Sequence, residues 1–223
     1  QKLIEELQCE TVFTIPVLGG IPVSEAVVVT WIIMAVLVIV AFILTRNLKV
    51  DHISKRQAVA ESIVTGLMNM VQGMVGEKGR KYVPYLTTVM LYIGVSNIIG
   101  LFGFKSPTKD LRVTVALALM SIILIEAAGI YHKGVKRWLH GFVEPVAIVT
   151  PINILEVVTK PLSLCMRLFG NVLGAFVIME LLKMILPVGL PVVFSLYFDI
   201  FDGLLQAYVF VFLTSLYIDE ITE

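Results

Sequence analysis

Long apolar stretches, each closed by a short polar or charged one, recur along this chain, and five of them are long enough to cross a bilayer as helices. Residues 25–45 run almost without interruption and are closed by Arg46 and Lys49. Residues 82–104 contain Pro84, Ser96 and Asn97, and residues 113–130 contain Glu126, with a polar turn from Lys105 to Arg112 between them. Pro145 and Pro151 lead into the fourth stretch, residues 145–186, and Pro187, Gly189 and Pro191 turn the chain into the fifth, residues 192–218. Residues 51–80 differ: Ile63, Leu67, Met70, Val71 and Val75 recur at helical spacing with Glu61, Asn69, Gln72 and Glu77 among them. That pattern predicts an amphipathic helix lying at the surface. Residues 1–24 mix charge, threonine and Gly-Gly-Ile-Pro turn chemistry and are expected to be an extracytoplasmic lead-in, leaving 25–223 as a single transmembrane domain. The run from about Val27 is too long for a signal-peptide core and is expected to be retained; the chain opens on Gln1, without methionine, which leaves room for residues ahead of it.

Within the fourth stretch the polar residues keep a register. Asn153, Glu156, Lys160, Ser163, Arg167, Asn171 and Gly174 follow one another at three or four residues, which is one helix face, while Leu155, Val158, Leu164, Leu168, Phe176 and Leu181 cover the others. One continuous helix fits better than two short ones. From Pro151 to Leu186 it would be roughly 54 Å long against a hydrocarbon core near 30 Å, so it must be steeply tilted, and Pro161 is where a bend would fall. The fifth stretch has its own stripe in Ser195, Asp199, Asp202 and Gln206. The two striped helices, 151–186 and 192–218, are expected to pack as an antiparallel hairpin that hides Arg167 and the aspartates from lipid. Gly170 and Gly174 form a small-xxx-small pair that permits close approach of another helix.

Composition confirms the class. Of 223 residues 58% are hydrophobic and 15% charged, and the mean hydropathy is +0.93, so the expected fold is an all-α membrane protein of about five crossings with one surface helix. Seventeen basic and seventeen acidic residues cancel, so no basic surface argues for nucleic acid. Charge position says more than the total. Arg46, Lys49, Lys55, Arg56, Lys78, Arg80 and Lys81 share a side with Lys133, Lys136 and Arg137, while Lys105, Lys109, Arg112 and Lys183 take the other. The positive-inside rule makes the larger group cytoplasmic, with the N-terminus outside and the C-terminus inside. Cys9 and Cys165, and His52, His132 and His140, have no metal-ligand spacing, so no metal or cofactor is expected.

The chemistry sits in the two stripes. An arginine at mid-bilayer costs about 2.5–3.5 kcal/mol on insertion scales. Arg167 stays charged, so it is a fixed cation rather than a proton carrier. Asp199, Asp202, Glu156, Glu180 and Glu126 can exchange protons or coordinate a small cation. This division suggests a gate, with ions moving among carboxylates on either side of a blocking arginine. The plainer alternatives are a structural ion pair for Arg167, a packing carboxyl for Asp199, interhelix hydrogen bonds for Ser96 and Asn97, and a snorkelling role for Lys160. A proton-coupled carrier would also bury charges but often shows internal repeats, and none is visible. An intramembrane protease using Asp199 and Asp202 suffers from their placement three residues apart on one helix.

Three segments are similar to a known family: Pro151-Ile-Asn-Ile-Leu-Glu156, then Lys160-Pro-Leu-Ser-Leu-Cys-Met-Arg167-Leu-Phe-Gly-Asn171, then Gln206-Ala-Tyr-Val-Phe with Ser215-Leu-Tyr. With Ser96-Asn97 and Pro107-Thr-Lys-Asp110-Leu-Arg-Val-Thr they resemble subunit a of F-type ATP synthases, from about residue 25 onward. The resemblance implies a non-catalytic stator subunit of the bacterial type in the plasma membrane. It would lie beside a ring of c subunits, with b subunits on its early spans, inside a hetero-oligomeric complex. Two offset half-channels would carry H+ or Na+ to and from the ring carboxylates. By the same resemblance Arg167 would face a ring carboxylate and separate the half-channels, Asn171 and Gln206 would be its polar neighbours, Asp199 would line the outer half-channel, and Glu156 matches an acidic position. Many bacterial members carry a glutamate where Phe176 stands here, so Asp199 with Asp202, and Glu180 one turn beyond Phe176, are expected to replace it.

Overall fold

The computed structural model describes residues 11–15, 21–46, 54–102, 104, 106–141, 150–185 and 190–222. Cys9, His52, Lys49, Lys105 and the turn at Pro187 lie outside these. Thr11–Ile15 (β1) and Ile21–Ser24 (β2) pair antiparallel, so the lead-in holds a two-stranded sheet that the sequence reading did not foresee. Its Val, Ile, Phe and Thr residues suit a pleated strand.

Among the described residues, five helices have the length and apolarity to cross a membrane. The first, α1 (Glu25–Thr45), touches the rest of the protein through Ala26, Val29 and Ile33; no residue from Met34 to Leu44 is buried. The amphipathic segment forms α2 (Lys55–Met74), exposed along most of its length as expected, with Val71 fully buried near its end. A 3-10 turn, Glu77–Tyr82, leads into α3 (Val83–Ile98), where Pro84 sits in the first turn and leaves no donor unsatisfied. Further 3-10 turns follow at Ile99–Phe102 and Pro107–Lys109. Asp110 then caps α4 (Leu111–Lys133) by accepting from the Arg112 N–H at 2.9 Å, and its other oxygen accepts from Ser24 Oγ at 2.9 Å. Gly134, at φ 77°, ends α4 in a conformation that favours glycine, and α5 (Val135–Gly141) follows.

The fourth stretch is one 36-residue helix, α6 (Thr150–Ile185), which continues through Pro161. The fifth begins as α7 (Leu190–Ser195), widens into a π-helical segment over Leu196–Asp202, and resumes as α8 (Gly203–Thr222). That interruption was not expected. A π segment inserts residues into the i→i−4 ladder, and here it turns Asp199 and Asp202 relative to the α8 register.

The core is built mainly by α3 against α8 and by α4 against both α6 and α8. Ile93, Val211 and Ile218 are fully enclosed, with Leu86, Ile125, Leu164 and Leu168 nearly so. Small residues bring the helices together: a Cβ on Gly203 would lie 2.8 Å from Asn97 Cβ, and one on Gly94 would lie 3.6 Å from Leu204. The expected hairpin is therefore looser than foreseen. Helices α6 and α8 do touch, but each gives its most extensive face to another helix.

Candidate functional site

Two polar regions form at opposite ends of the bundle, and Arg167 lies between them along α6. One end gathers the end of α2, the end of α4, the first turns of α6 and the end of α8. Asp219 there lies against Gly76, Ile221 against Gly129, and Lys160 on α6 donates to Glu220 Oε1 at 3.0 Å. The other end gathers the end of α3, the Pro107–Lys109 turn, the latter part of α6 and the π segment. Asn97 on α3 donates to the Gly203 carbonyl at 2.9 Å and accepts from Thr108 Oγ1 at 2.6 Å, so one buried amide ties three elements together. This fulfils the interhelix role expected of Asn97. Ser96 Oγ is buried without a hydrogen-bond partner among the described residues, although its carbonyl accepts from Ser106.

Asp199 belongs to this second end. Its Oδ2 accepts from Ser195 Oγ at 2.8 Å, and its Oδ1 lies where a Cβ on Gly100 would approach to 3.2 Å. The carboxylate therefore rests against backbone that lacks a side chain. Asp202, half-buried, has the buried Gln206 side chain as hydrogen-bond partner. Glu180 accepts from Lys183 Nζ at 2.6 Å, and the Lys183 charge also acts on Asp199. Thus Asp199, Glu180 and Lys183 share one electrostatic neighbourhood. Phe176 has a partner too: the Lys109 ammonium sits 2.8 Å from its ring centroid.

The first end holds a cavity of about 440 Å³ lined by residues of α4, α5, α6 and α8, including Glu126, Glu156, Lys160 and Glu220. Glu126 accepts from Trp138 Nε1 at 2.9 Å, and Glu156 pairs with Lys160 at 3.6 Å. The role of Glu220 was not foreseen: sixty residues separate it from Lys160, and no local pattern links them.

Arg167 corrects one expectation. The hairpin was to hide it, yet it is exposed and has no hydrogen bond or ion pair among the described residues. The face of α6 that packs is the apolar one: Leu164, Cys165 and Leu168 are buried, with Cys165 Sγ 3.6 Å from Thr114 Oγ1 on α4. From Ser163 onward the polar stripe points the other way. Ser163, Arg167 and Asn171 are exposed together, and a Cβ on Gly170 or Gly174 would meet nothing within 4 Å. At 1.5 Å per residue Arg167 lies about 10 Å along the helix from Lys160 and about 20 Å from Glu180.

Among the described residues, five helices long and apolar enough to cross a membrane, several with ionisable side chains within their length, define a multi-pass membrane protein. Residues 27–219 match the family model described as ATP synthase A chain. A subunit a of ATP synthase from Moorella thermoacetica is 36% identical over 203 residues, covering 90% of this chain and 92% of that protein. The subunit a 1 from Chlorobaculum parvum is 34% identical over 208 residues, 92% of this chain and 91% of that protein. A sodium ion specific subunit a from Propionigenium modestum is 35% identical over 215 residues, 89% of this chain and 74% of that protein. This chain belongs to the ATP synthase subunit a family, part of the membrane sector of the F-type ATP synthase and hence of a hetero-oligomeric complex.

Proposed function

We propose that the chain is the ion-translocating stator subunit of the complex, a non-catalytic one that carries H+ or Na+ through two half-channels separated by Arg167. One observation supports this above others: an exposed arginine, with no ion pair among the described residues, stands between two polar regions that lie at opposite ends of the bundle. In this reading the fixed charge meets an anionic partner on another subunit, and a carboxylate on a ring of c subunits has the right chemistry. Open space at Gly170 and Gly174 lets such a ring helix approach closely. In this reading Asn171 flanks the arginine, Asp199, Asp202, Glu180 and Gln206 serve the outer half-channel, and Glu156 serves the inner one.

The wider assembly follows from the same reading. The exposed length of α1 and the exposed apolar residues of α2 receive b subunits, and the end carrying Arg46, Lys133 and Arg137 faces the cytoplasm of a plasma membrane. The test is ATP-driven ion pumping by the assembled complex in vesicles, with proton and sodium uptake recorded separately. Arg167→Ala is expected to abolish pumping while the complex still assembles. Unchanged pumping would remove Arg167 from the mechanism, and the ion moved by the wild type identifies the coupling ion.

A further inference from the structure

A run of exposed cationic and aromatic side chains, outside both polar regions, crosses from the Glu77–Tyr82 turn to the last turn of α4. Lys81 Nζ donates to the Tyr131 hydroxyl at 3.2 Å and lies 4.8 Å from the centre of that ring. Tyr131 meets the His132 ring edge-on at 5.4 Å, and His132 meets Tyr82 edge-on at 6.4 Å, so the two elements share one ladder of rings. Tyr131 is 67% exposed, and Arg80, Lys81 and His132 are exposed with it. The side chains of Arg80 and His132 make no hydrogen bond or ion pair among the described residues. Nor does that of Glu77, the carboxylate that opens the same turn, so the cations here are not neutralised by it.

Depth selects the partner of such a surface. The apolar span that holds α3 begins at Gly79, and that of α4 ends at Lys133. These side chains therefore stand where hydrocarbon gives way to headgroups, the level at which tyrosine and basic side chains settle. A guanidinium, an ammonium with two N–H groups to spare and an imidazole N–H all point to a negatively charged acceptor, and a phosphodiester is one. We propose that Arg80, Lys81, Tyr131 and His132 form a docking surface for the phosphate of an anionic phospholipid, with the exposed side of Ile130 and the Tyr131 ring against its glycerol and first acyl carbons. An acidic protein segment could answer the same cations, but it brings nothing to cover exposed apolar side chains beside them at the edge of the hydrocarbon. A lipid held there ties the turn before α3 and the end of α4 to one leaflet. The site depends only on where the spans end and is independent of the ion path.

The test places a photoreactive benzoylphenylalanine at Tyr131 in the assembled complex, reconstituted into vesicles of equimolar phosphatidylglycerol and phosphatidylcholine, and weighs the crosslinked products by mass spectrometry. The same label at Ile123, exposed within the α4 span, samples the bulk lipid. Because one basic side chain near the surface favours anionic lipid roughly fivefold, the phosphatidylglycerol share at Tyr131 should exceed that at Ile123 by at least about fivefold. The excess should vanish in Arg80→Gln/Lys81→Gln and persist in Lys81→Arg. Raising the salt to about 0.5 M should also collapse it, which decides the matter in the wild-type complex should the double variant fail to assemble. Equal shares at the two positions, an excess that survives both the double substitution and salt, or crosslinking of Tyr131 to a protein subunit in place of lipid would each overturn the proposal.

Discussion

Replacing Gly203 with alanine isolates the contact that fixes α8 against α3. The backbone there is helical, at φ −60° and ψ −44°, so alanine carries no conformational strain. Its Cβ, however, would lie 2.8 Å from Asn97 Cβ, closer than two carbon atoms can settle. Overpacking of this kind costs about 1–3 kcal/mol, while alanine in place of glycine in a helix returns about 1 kcal/mol. The expected net loss is therefore at most about 2 kcal/mol. Because the opposing atom is a Cβ, Asn97→Ala keeps the clash and Asn97→Gly removes it. Titration of the purified protein in micelles with a denaturing detergent, followed by Trp31 and Trp138 fluorescence, gives the two double-mutant cycles. The Gly203→Ala/Asn97→Gly cycle should show a coupling of about 1–3 kcal/mol, and the Gly203→Ala/Asn97→Ala cycle close to none. No coupling with Asn97→Gly, or equal rescue by both partners, would refute the close approach of these helices.

Three further outcomes follow from the same geometry. Gly100→Val should push Asp199 off its backbone seat and slow ATP-driven pumping several-fold without loss of assembly, whereas Gly100→Ala, at 3.2 Å, should have a much smaller effect in the same assay. Asp110→Ala removes the α4 cap and the acceptor for Ser24, and should cost about 2–3 kcal/mol in detergent titration, with Asp110→Asn milder because it keeps an acceptor for the Arg112 N–H. The Asp199→Ala, Asp202→Ala double substitution should abolish coupled pumping, and a normal rate would show that neither carboxylate serves the outer path.

The periodicity along the chain made α6 legible as one long helix with Arg167 on a polar stripe, and α2 as a surface helix. It also paired Asn97 correctly with an interhelix hydrogen bond. What periodicity reports is which residues share a face; it does not report what covers that face. The expectation that α8 would cover the Arg167 stripe came from the cost of charge at bilayer depth, and that cost is met equally by a neighbour in the same chain or in another. Leu164, Cys165 and Leu168 decided between them by giving α6 an apolar face that α4 could bury. The π segment and the Lys160–Glu220 pair were beyond reach for a related reason. A shift of ladder register leaves no mark in a run as apolar as Leu196–Asp202, and a contact across sixty residues depends on where two helices end, which their own sequences do not state. Gly170 and Gly174 carry the point furthest. Their spacing predicted a close helix approach, the structure leaves both open, and the same stripe holds an arginine with no partner among the described residues. A small-residue track beside such a cation is costly to leave facing hydrocarbon, and the interface proposed above, in which another subunit brings a helix and a negative charge, would remove that cost.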